Sequence, residues 1–357
     1  MLRYMAWNKK NIERIKHDMT GLRTQKINLK ELNQKTILVT GATGLIGSCF
    51  IHSLVNQMKA QQLSINIIAI IRNEDKARRV LGDCKDSVKY ICADVTTALE
   101  IPETVDYIVH AASQTSSKAF IENPIETINT AISGTINVLQ LAREKAAKKV
   151  VFLSTMEVYG SPDTDEKIDE EHYTNLNTMM ARSSYPESKR MCENLCVSYM
   201  KEYGVPINVI RLTQTFGPGV EYNDGRVFAE FARCAIENRN IVLHTKGETK
   251  RNYLYTEDAV SAILTVLLKG KSGEAYNAAN EATYCSIYEM AEIVSSKCAN
   301  GKIKVELDIG DESKYGYAPV LKMNLDTRKL QRLGWKPTVG LEEMFCNLIS
   351  DMQNRRV

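Results

Sequence analysis

Residues 36 to 47 read TILVTGATGLIG: a short apolar run, a turn with glycines at 41, 44 and 47, and the opening of a helix pattern that continues to about residue 60. Little else in the chain restricts the fold as much. Glycines allow the tight turn and the close approach of backbone to a pyrophosphate, which then lies at the positive N-terminus of the helix. The strand before and the helix after are the context that separates such a cradle from an ordinary turn. The stretch therefore predicts a parallel sheet with a dinucleotide at its C-terminal edge.

The rest of the chain keeps that rhythm. INIIAII, VKYICAD, DYIVHAA, VVFLST and INVIRL alternate with amphipathic stretches, two of them near 125–145 and 185–203. Continuous apolar strands separated by helices indicate a sheet covered on both faces. The expected class is α/β, a Rossmann-like doubly wound parallel sheet with a smaller C-terminal α/β substrate lobe. After Phe216 the pattern loosens into GPGVEYNDGR, helices near 227–237 and 258–268, a strand IVLH, and a closing helix after Gly340. The expected organisation is an N-terminal extension over 1–32, an NAD(P)-binding domain over 33–215 to which 252–268 returns, and a substrate lobe over 216–357.

Bulk properties exclude several classes. With 357 residues the chain has enough length for two cores, and its formal charge of +3 argues neither for nor against an anionic partner. Nine cysteines form no CxxC pair and five histidines no ligand-spaced pair, so free thiols in a reducing cytosol and no metal are expected. No stretch reaches the roughly 18 apolar residues of a membrane span, and the opening MLRYMAWNKK has no apolar signal core. A cytoplasmic protein without a membrane partner is expected. Residues 1 to 35 hold nine Lys or Arg against three acids, but the cations are spaced out and lack an aromatic series. They read as a solvated helical extension, and no nucleic acid partner is expected.

Candidate chemistry gathers in two places. Tyr185 and Lys189 are four residues apart, and Ser184 with Glu187 reads as a capping box that starts their helix, with Pro186 in its first turn. Both side chains then share a face, and the ammonium is expected to lower the phenol's pKa. Tyr185 would take a hydroxyl proton as hydride leaves the same carbon. In STMEVYG, Glu157 stands two residues past Thr155 at a strand end, either solvated at the rim or aimed into a ligand crevice; the crevice is the favoured reading. The second strand ends in Arg72-Asn73 instead of the acid that grips a ribose 2′-OH, so NAD is expected with NADP possible.

The GxxGxxG spacing resembles that of extended short-chain dehydrogenase/reductases, in the NAD-dependent epimerase/dehydratase family, over roughly residues 36 to 340. The resemblance implies that Gly41, Thr43, Gly44, Leu45, Ile46 and Gly47 cradle the cofactor and that Asp94, with Val95, meets the adenine. It also implies that Ala111, Ala112 and Ser113 of HAAS lie beside the cofactor, with Asn129 in the following helix. Thr155 would orient the substrate hydroxyl, Tyr185 act as base, and Lys189 also hold the nicotinamide ribose. Ser113, Thr155, Gln214, Arg226, Arg251 and Lys322 are the implied substrate contacts, with Arg226 and Arg251 at a nucleotide diphosphate. The implied substrate is a nucleotide sugar, oxidised transiently at C4, with catalytic help from Glu157.

STxEVYG resembles both nucleotide-sugar 4,6-dehydratases and UDP-glucuronate decarboxylases, and RSSYPESKR and FGPGVEYNDGRV tilt toward the decarboxylases. There are departures. Gln214 stands where these relatives carry Asn, and Met156 where many dehydratases carry Asp, which leaves Glu157 to act alone. Val320, Leu321 and Lys322 stand where decarboxylases carry an arginine, and of these only Lys322 substitutes, without the planar fork. A decarboxylase or dehydratase is expected, with a 4-epimerase as the enzymatic alternative and a non-catalytic NAD(P)-sensing module as the other. The presence of Thr155, Tyr185 and Lys189 together argues against the module. A homodimer through helices near 125–145 and 185–203 is implied by the same relatives.

Overall fold

The computed structural model describes residues 27–309 and 320–356. Residues 1–26, most of the expected N-terminal extension, lie outside them. β1 (Thr36–Thr40) turns into α1 (Leu45–Gln61), followed by β2 (Asn66–Ile71), α2 (Glu74–Leu81), β3 (Val88–Cys92) and β4 (Tyr107–His110). Next come α3 (Ser117–Glu122), α4 (Pro124–Glu144), β5 (Lys149–Thr155), β6 (Lys167–Ile168), α5 (Ser184–Tyr203) and β7 (Ile207–Leu212). They are followed by β8 (Gln214–Phe216), α6 (Val227–Glu237), β9 (Ile241–Leu243), β10 (Lys250–Tyr255), α7 (Thr256–Lys269) and β11 (Ala275–Ala278). β12 (Asn280–Ser286), α8 (Ile287–Ile293), β13 (Val305–Leu307), β14 (Lys322–Leu325), α9 (Arg328–Gln331) and α10 (Leu341–Arg356) complete the described chain.

Seven strands form one parallel sheet in the order β11-β7-β5-β4-β1-β2-β3. Side-chain alternation explains their unbroken apolar runs. Ile37, Val39, Val109 and Val151 pack in one cluster with Phe50 and Leu54 of α1 and with Val260 and Ile263 of α7. Leu38, Ile108, Val150 and Phe152 pack in another with Val138 and Leu139 of α4 and Cys192 and Cys196 of α5. A strand with helices on both sides has no solvent face to show. This is the doubly wound arrangement expected.

Segments beyond residue 216 contribute to the same layers. α7 is buried continuously from Thr256 to Leu267, and β11 is the edge strand beside β7. The Trp335 indole N–H donates to Ser261 Oγ at 2.8 Å, and Leu29 and Leu32 join the α7 side of the core. A second core of Phe216, Phe228, Tyr253, Met344 and Phe345 goes with the smaller sheet β12-β10-β14-β6, in which β8 also pairs β10. No helix of the described residues is long and apolar enough to cross a membrane.

β1 lies between β2 and β4, so the chain winds outward from it in both directions. The crevice of an open α/β sheet sits at that reversal, outside the carboxyl ends of the strands. The glycine turn follows β1 there, HAAS follows β4, and STMEVYG spans the end of β5.

Candidate active site

The glycine turn is moulded by its neighbour strand. Gly41 has φ +64°, and a Cβ there would lie 2.6 Å from the Ala111 carbonyl and 2.7 Å from the Ala112 nitrogen. At Gly47 a Cβ would stand 2.3 Å from the Gly41 oxygen. The Ala112 N–H donates to Thr40 Oγ1 at 3.2 Å, and that hydroxyl is 2.7 Å from His110 Nδ1. His110 Nε2 meets Thr135 Oγ1 of α4 at 3.3 Å. Burial, and then the Lys189 charge, push the His110 pKa down to about 3, so a neutral ring braces β1, β4 and α4.

Gly44 is the N-cap of α1; no side chain caps this end and no acid stands in its first turn. The first-turn N–H groups thus have no side-chain cap, at the positive end of a 17-residue helix. That arrangement fits a pyrophosphate. Thr43 and Ile46 are half-buried beside the turn. Leu45 reaches toward the GPGVEYNDGR segment, where a Cβ on Gly219 would meet its Cδ1 at 3.2 Å.

Asp94 Oδ1 accepts from both the N–H and the hydroxyl of Thr96 at 2.8 Å. These bonds hold its carboxyl below the usual range, with a smaller contribution from the Arg72 charge. Val95 is buried against Gly134 of α4, where a Cβ would stand 3.0 Å from Val95 Cγ2. Arg72 and Asn129 are exposed, and neither side chain makes a hydrogen bond among the described residues. Ser113 Oγ donates to the Gln114 carbonyl at 3.2 Å.

On the other side of the crevice, Thr155 Oγ1 accepts the Glu157 N–H at 3.2 Å and is also the hydrogen-bond partner of Tyr185. The expected Ser184–Glu187 capping box is absent. A 3₁₀ turn, Ala181–Ser183, runs straight into α5, so Ser184 is already helical and its Oγ donates to the Phe120 carbonyl at 3.1 Å. That bond anchors α3 against α5, where the Phe120 ring stacks on Tyr185 with centroids 4.2 Å apart and 9° between planes. Arg182, on the 3₁₀ turn, lies 4.8 Å from the same Phe120 ring. Its Nη2 donates to Glu157 Oε1 and Oε2 at 3.1 and 2.9 Å. Glu157 is therefore not free: it is an ion-paired, half-exposed carboxylate beside Thr155.

The phenol departs from expectation. Burial, and then the Glu157 charge, push Tyr185 up, against the Thr155 hydrogen bond and the Arg182 and Arg226 charges. Lys189 is not among the groups that pull it down. Its Nζ donates to the Leu153 carbonyl at 2.8 Å, lies 4.6 Å from the Phe152 ring, and burial lowers its own pKa. Spacing put both groups on one helix face, but the backbone carbonyl took the ammonium.

The expected substrate contacts divide. Leu212 is the strand partner of Thr155, and Gln214, two residues on, pairs with Tyr253 of β10. Arg251 on β10 is half-buried, and its Nε is sealed from solvent without a hydrogen-bond partner. Such an orphan points to an acceptor supplied from outside the chain. Arg226 is closed on Asp224, with Nε to Oδ1 at 2.9 Å and Nη2 to Oδ2 at 2.6 Å. Lys322 is a correction. It pairs with Asp165 at 2.7 Å, and across β10 and β14 it stands opposite Lys250, whereas Arg251 stands opposite Met323. Alternation along β10 therefore puts Lys322 on the face away from Arg251, so the two do not share a pocket.

Sequence reasoning missed Arg182 and Glu193 as individual residues. Arg182 is visible as a cation three residues before Tyr185. Glu193 accepts from Ser154 Oγ and takes Arg211 of β7 through Nε at 3.0 Å and Nη2 at 2.7 Å. It thereby ties the strand end beside Thr155 to the helix of Lys189. Its spacing of four from Lys189 was the available signal. Phe120 offered none.

With only β4 between β1 and β5, a cofactor cradle and a Thr-Tyr-Lys set share one strand edge, the arrangement of a short-chain dehydrogenase/reductase. The model of the NAD dependent epimerase/dehydratase family matches residues 37–279, and the chain belongs to that family, whose cofactor is NAD. UDP-glucuronic acid decarboxylase 1 of Xenopus tropicalis is 31% identical over 316 residues, 88% of this chain and 71% of that protein. UDP-glucuronic acid decarboxylase 6 of Arabidopsis thaliana is 30% identical over 320 residues, 89% of each. Among solved structures, the dTDP-glucose 4,6-dehydratase of Streptomyces venezuelae with NAD bound aligns with a TM-score of 0.76 and 23% identity, covering 90% of this chain and 98% of that one. The UDP-glucose 4-epimerase of Thermotoga maritima aligns at 0.75 with 21% identity, covering 90% and 100%. At these identities the structural likenesses show the fold.

Proposed function

We infer that this enzyme decarboxylates a UDP-linked uronic acid through a transient ketone at C4. One observation favours decarboxylation over dehydration: the strand end offers a single carboxylate, and both its oxygens already accept from Arg182. Dehydration needs a proton donor for the departing hydroxyl. Met156, the adjacent residue, has none to give and is buried with Val158, Tyr159 and Met323. A 4-epimerase needs no carboxylate at this position.

When bound, the oxidised nicotinamide supplies a hydride acceptor that carries a positive charge. The protein's part is positional and protonic. Thr155 orients the C4 hydroxyl, and Tyr185, sharing its hydrogen bond, takes the hydroxyl proton. Cations in the pocket work with Arg182 and Arg226, which already pull the phenol down. With C4 a ketone, the C6 carboxylate belongs to a β-keto acid. The C5–C6 bond breaks, carbon dioxide leaves, its electron pair becomes the C4 enolate, and C5 then takes a proton. The ketone is finally reduced as Tyr185 returns the proton to the C4 oxygen.

Gly41, Thr43, Gly44, Leu45, Ile46 and Gly47 would hold the pyrophosphate, and Asp94 with Val95 the adenine end. Ala111, Ala112, Ser113, Asn129 and Lys189 would border the nicotinamide half. Arg72 is free to meet a ribose 2′-OH or a 2′-phosphate. Arg251 would bind the nucleotide diphosphate, joined by Arg226 after release from Asp224, while Gln214 borders the sugar. Ile125 of α4 and Met191 and Val197 of α5 are exposed apolar residues on two helices that pack together, which supports a homodimer through that face.

Incubation with UDP-glucuronate, read by mass spectrometry, tests the reading. A UDP-pentose and carbon dioxide are expected. UDP-galacturonate would replace it with an epimerase, and conversion of dTDP-glucose to a keto sugar, with UDP-glucuronate untouched, with a dehydratase.

A further inference from the structure

Arg182 uses only part of its guanidinium. Nη2 serves both Glu157 oxygens, while Nε and Nη1 make no hydrogen bond among the described residues. The side chain is 34% exposed, so these donors face accessible space. The group is also held in place. It lies over the Phe120 ring, Phe120 stacks on Tyr185, and Ser184 anchors the Phe120 backbone. Three N–H hydrogens are thus presented beside the two residues that would handle the sugar, from a plane suited to carboxylates.

The other cations around the crevice are otherwise engaged. Arg226 is closed on Asp224, Lys322 on Asp165, and Lys189 on the Leu153 carbonyl. Arg251 stands on β10, two residues before Tyr253, the strand partner of Gln214. A uronate brought next to Glu157 without a cation between them would meet a like charge in a half-buried site, which is unfavourable. A guanidinium that bridges two carboxylates removes that conflict and rewards the acid over the neutral sugar.

We propose that Arg182 determines specificity by taking the C6 carboxylate of a UDP-hexuronate on the free hydrogens of Nη1 while Nη2 retains Glu157. The proposal rests on the decarboxylase reading and adds to it the residue that selects the acid. Titration calorimetry with UDP-glucuronate, UDP-glucose and UDP, on the wild-type holoenzyme, Arg182→Gln and Arg182→Lys, tests it. Arg182→Gln is expected to weaken UDP-glucuronate by about tenfold or more and leave UDP and UDP-glucose within about twofold. Arg182→Lys, a point charge without the fork, should recover part of the loss. Equal weakening of all three ligands in both variants would mean a structural role and overturn the assignment. A preference for the acid that survives Arg182→Gln overturns this assignment alone, whereas a wild-type protein that neither prefers nor converts UDP-glucuronate overturns the function reading as well.

Discussion

The two sides of the crevice solve binding in different ways. The nucleotide side is made of backbone: Gly41 and Gly47 are pressed against Ala111, Ala112 and each other, and Gly44 leaves a helix end uncapped. Nothing there must move to admit an anion. The sugar side is made of long charged side chains that have found partners within the chain: Arg226 with Asp224, and Arg182 with Glu157. Arg251, with a sealed and unpartnered Nε, is the exception. Backbone donors cannot pair with a nearby side chain that is not there, but a guanidinium beside a carboxylate will close on it. On the proposed function, the cradle is preformed and the sugar pocket exchanges internal ion pairs for substrate.

Five substitutions press on that contrast. Tyr185→Phe removes the one group placed to accept the hydroxyl proton, so turnover of UDP-glucuronate should fall by at least about a hundredfold, with dinucleotide content unchanged. Loss of cofactor along with activity would mean that the two sides are not separable. Gly41→Ala attacks the cradle itself. With a positive φ and backbone atoms at 2.6 Å there is no room to relax, and a loss of about 2–3 kcal/mol in denaturant stability is expected, together with the bound dinucleotide. A variant that keeps both would show that the turn is not rigid.

Within the sugar side, Arg251→Ala should weaken UDP by about tenfold and Arg226→Ala by less, because Arg226 must first give up Asp224. The reverse order would break the distinction between an orphaned and a paired guanidinium. A last effect concerns His110. Its unfolded pKa is near 6.5 and its folded one about 3, so the unfolded chain binds the extra proton. The stability from keeping the ring neutral is complete above 6.5 and lost as pH falls toward 3. The melting midpoint should drop with acid through that window, and less steeply in His110→Gln.

Much of this was readable in advance wherever a rule of covalent geometry applied. The glycine turn and the apolar runs with no polar face followed from spacing and burial, whereas Thr155 was set beside Tyr185 by the family resemblance alone. Less readable were outcomes decided by competition. Lys189 was expected to act on the phenol and instead serves the Leu153 carbonyl; Ser184 was expected to cap α5 and instead holds Phe120. Lys322 was placed with the substrate because, of the three residues standing where decarboxylases carry an arginine, it alone is a cation, yet strand alternation turns it to Asp165. In each case a side chain had more than one possible partner, and sequence separation does not rank them.

The order of residues alone settled the doubly wound sheet and the glycine turn, since each depends on local backbone freedom or on which positions must leave water. Which cation meets which anion was left to the folded chain. Those pairings join residues 25 apart for Arg182 with Glu157 and 157 apart for Lys322 with Asp165. The force between charges depends on distance through space and on the dielectric around them, and both come into being only once the strands have stacked.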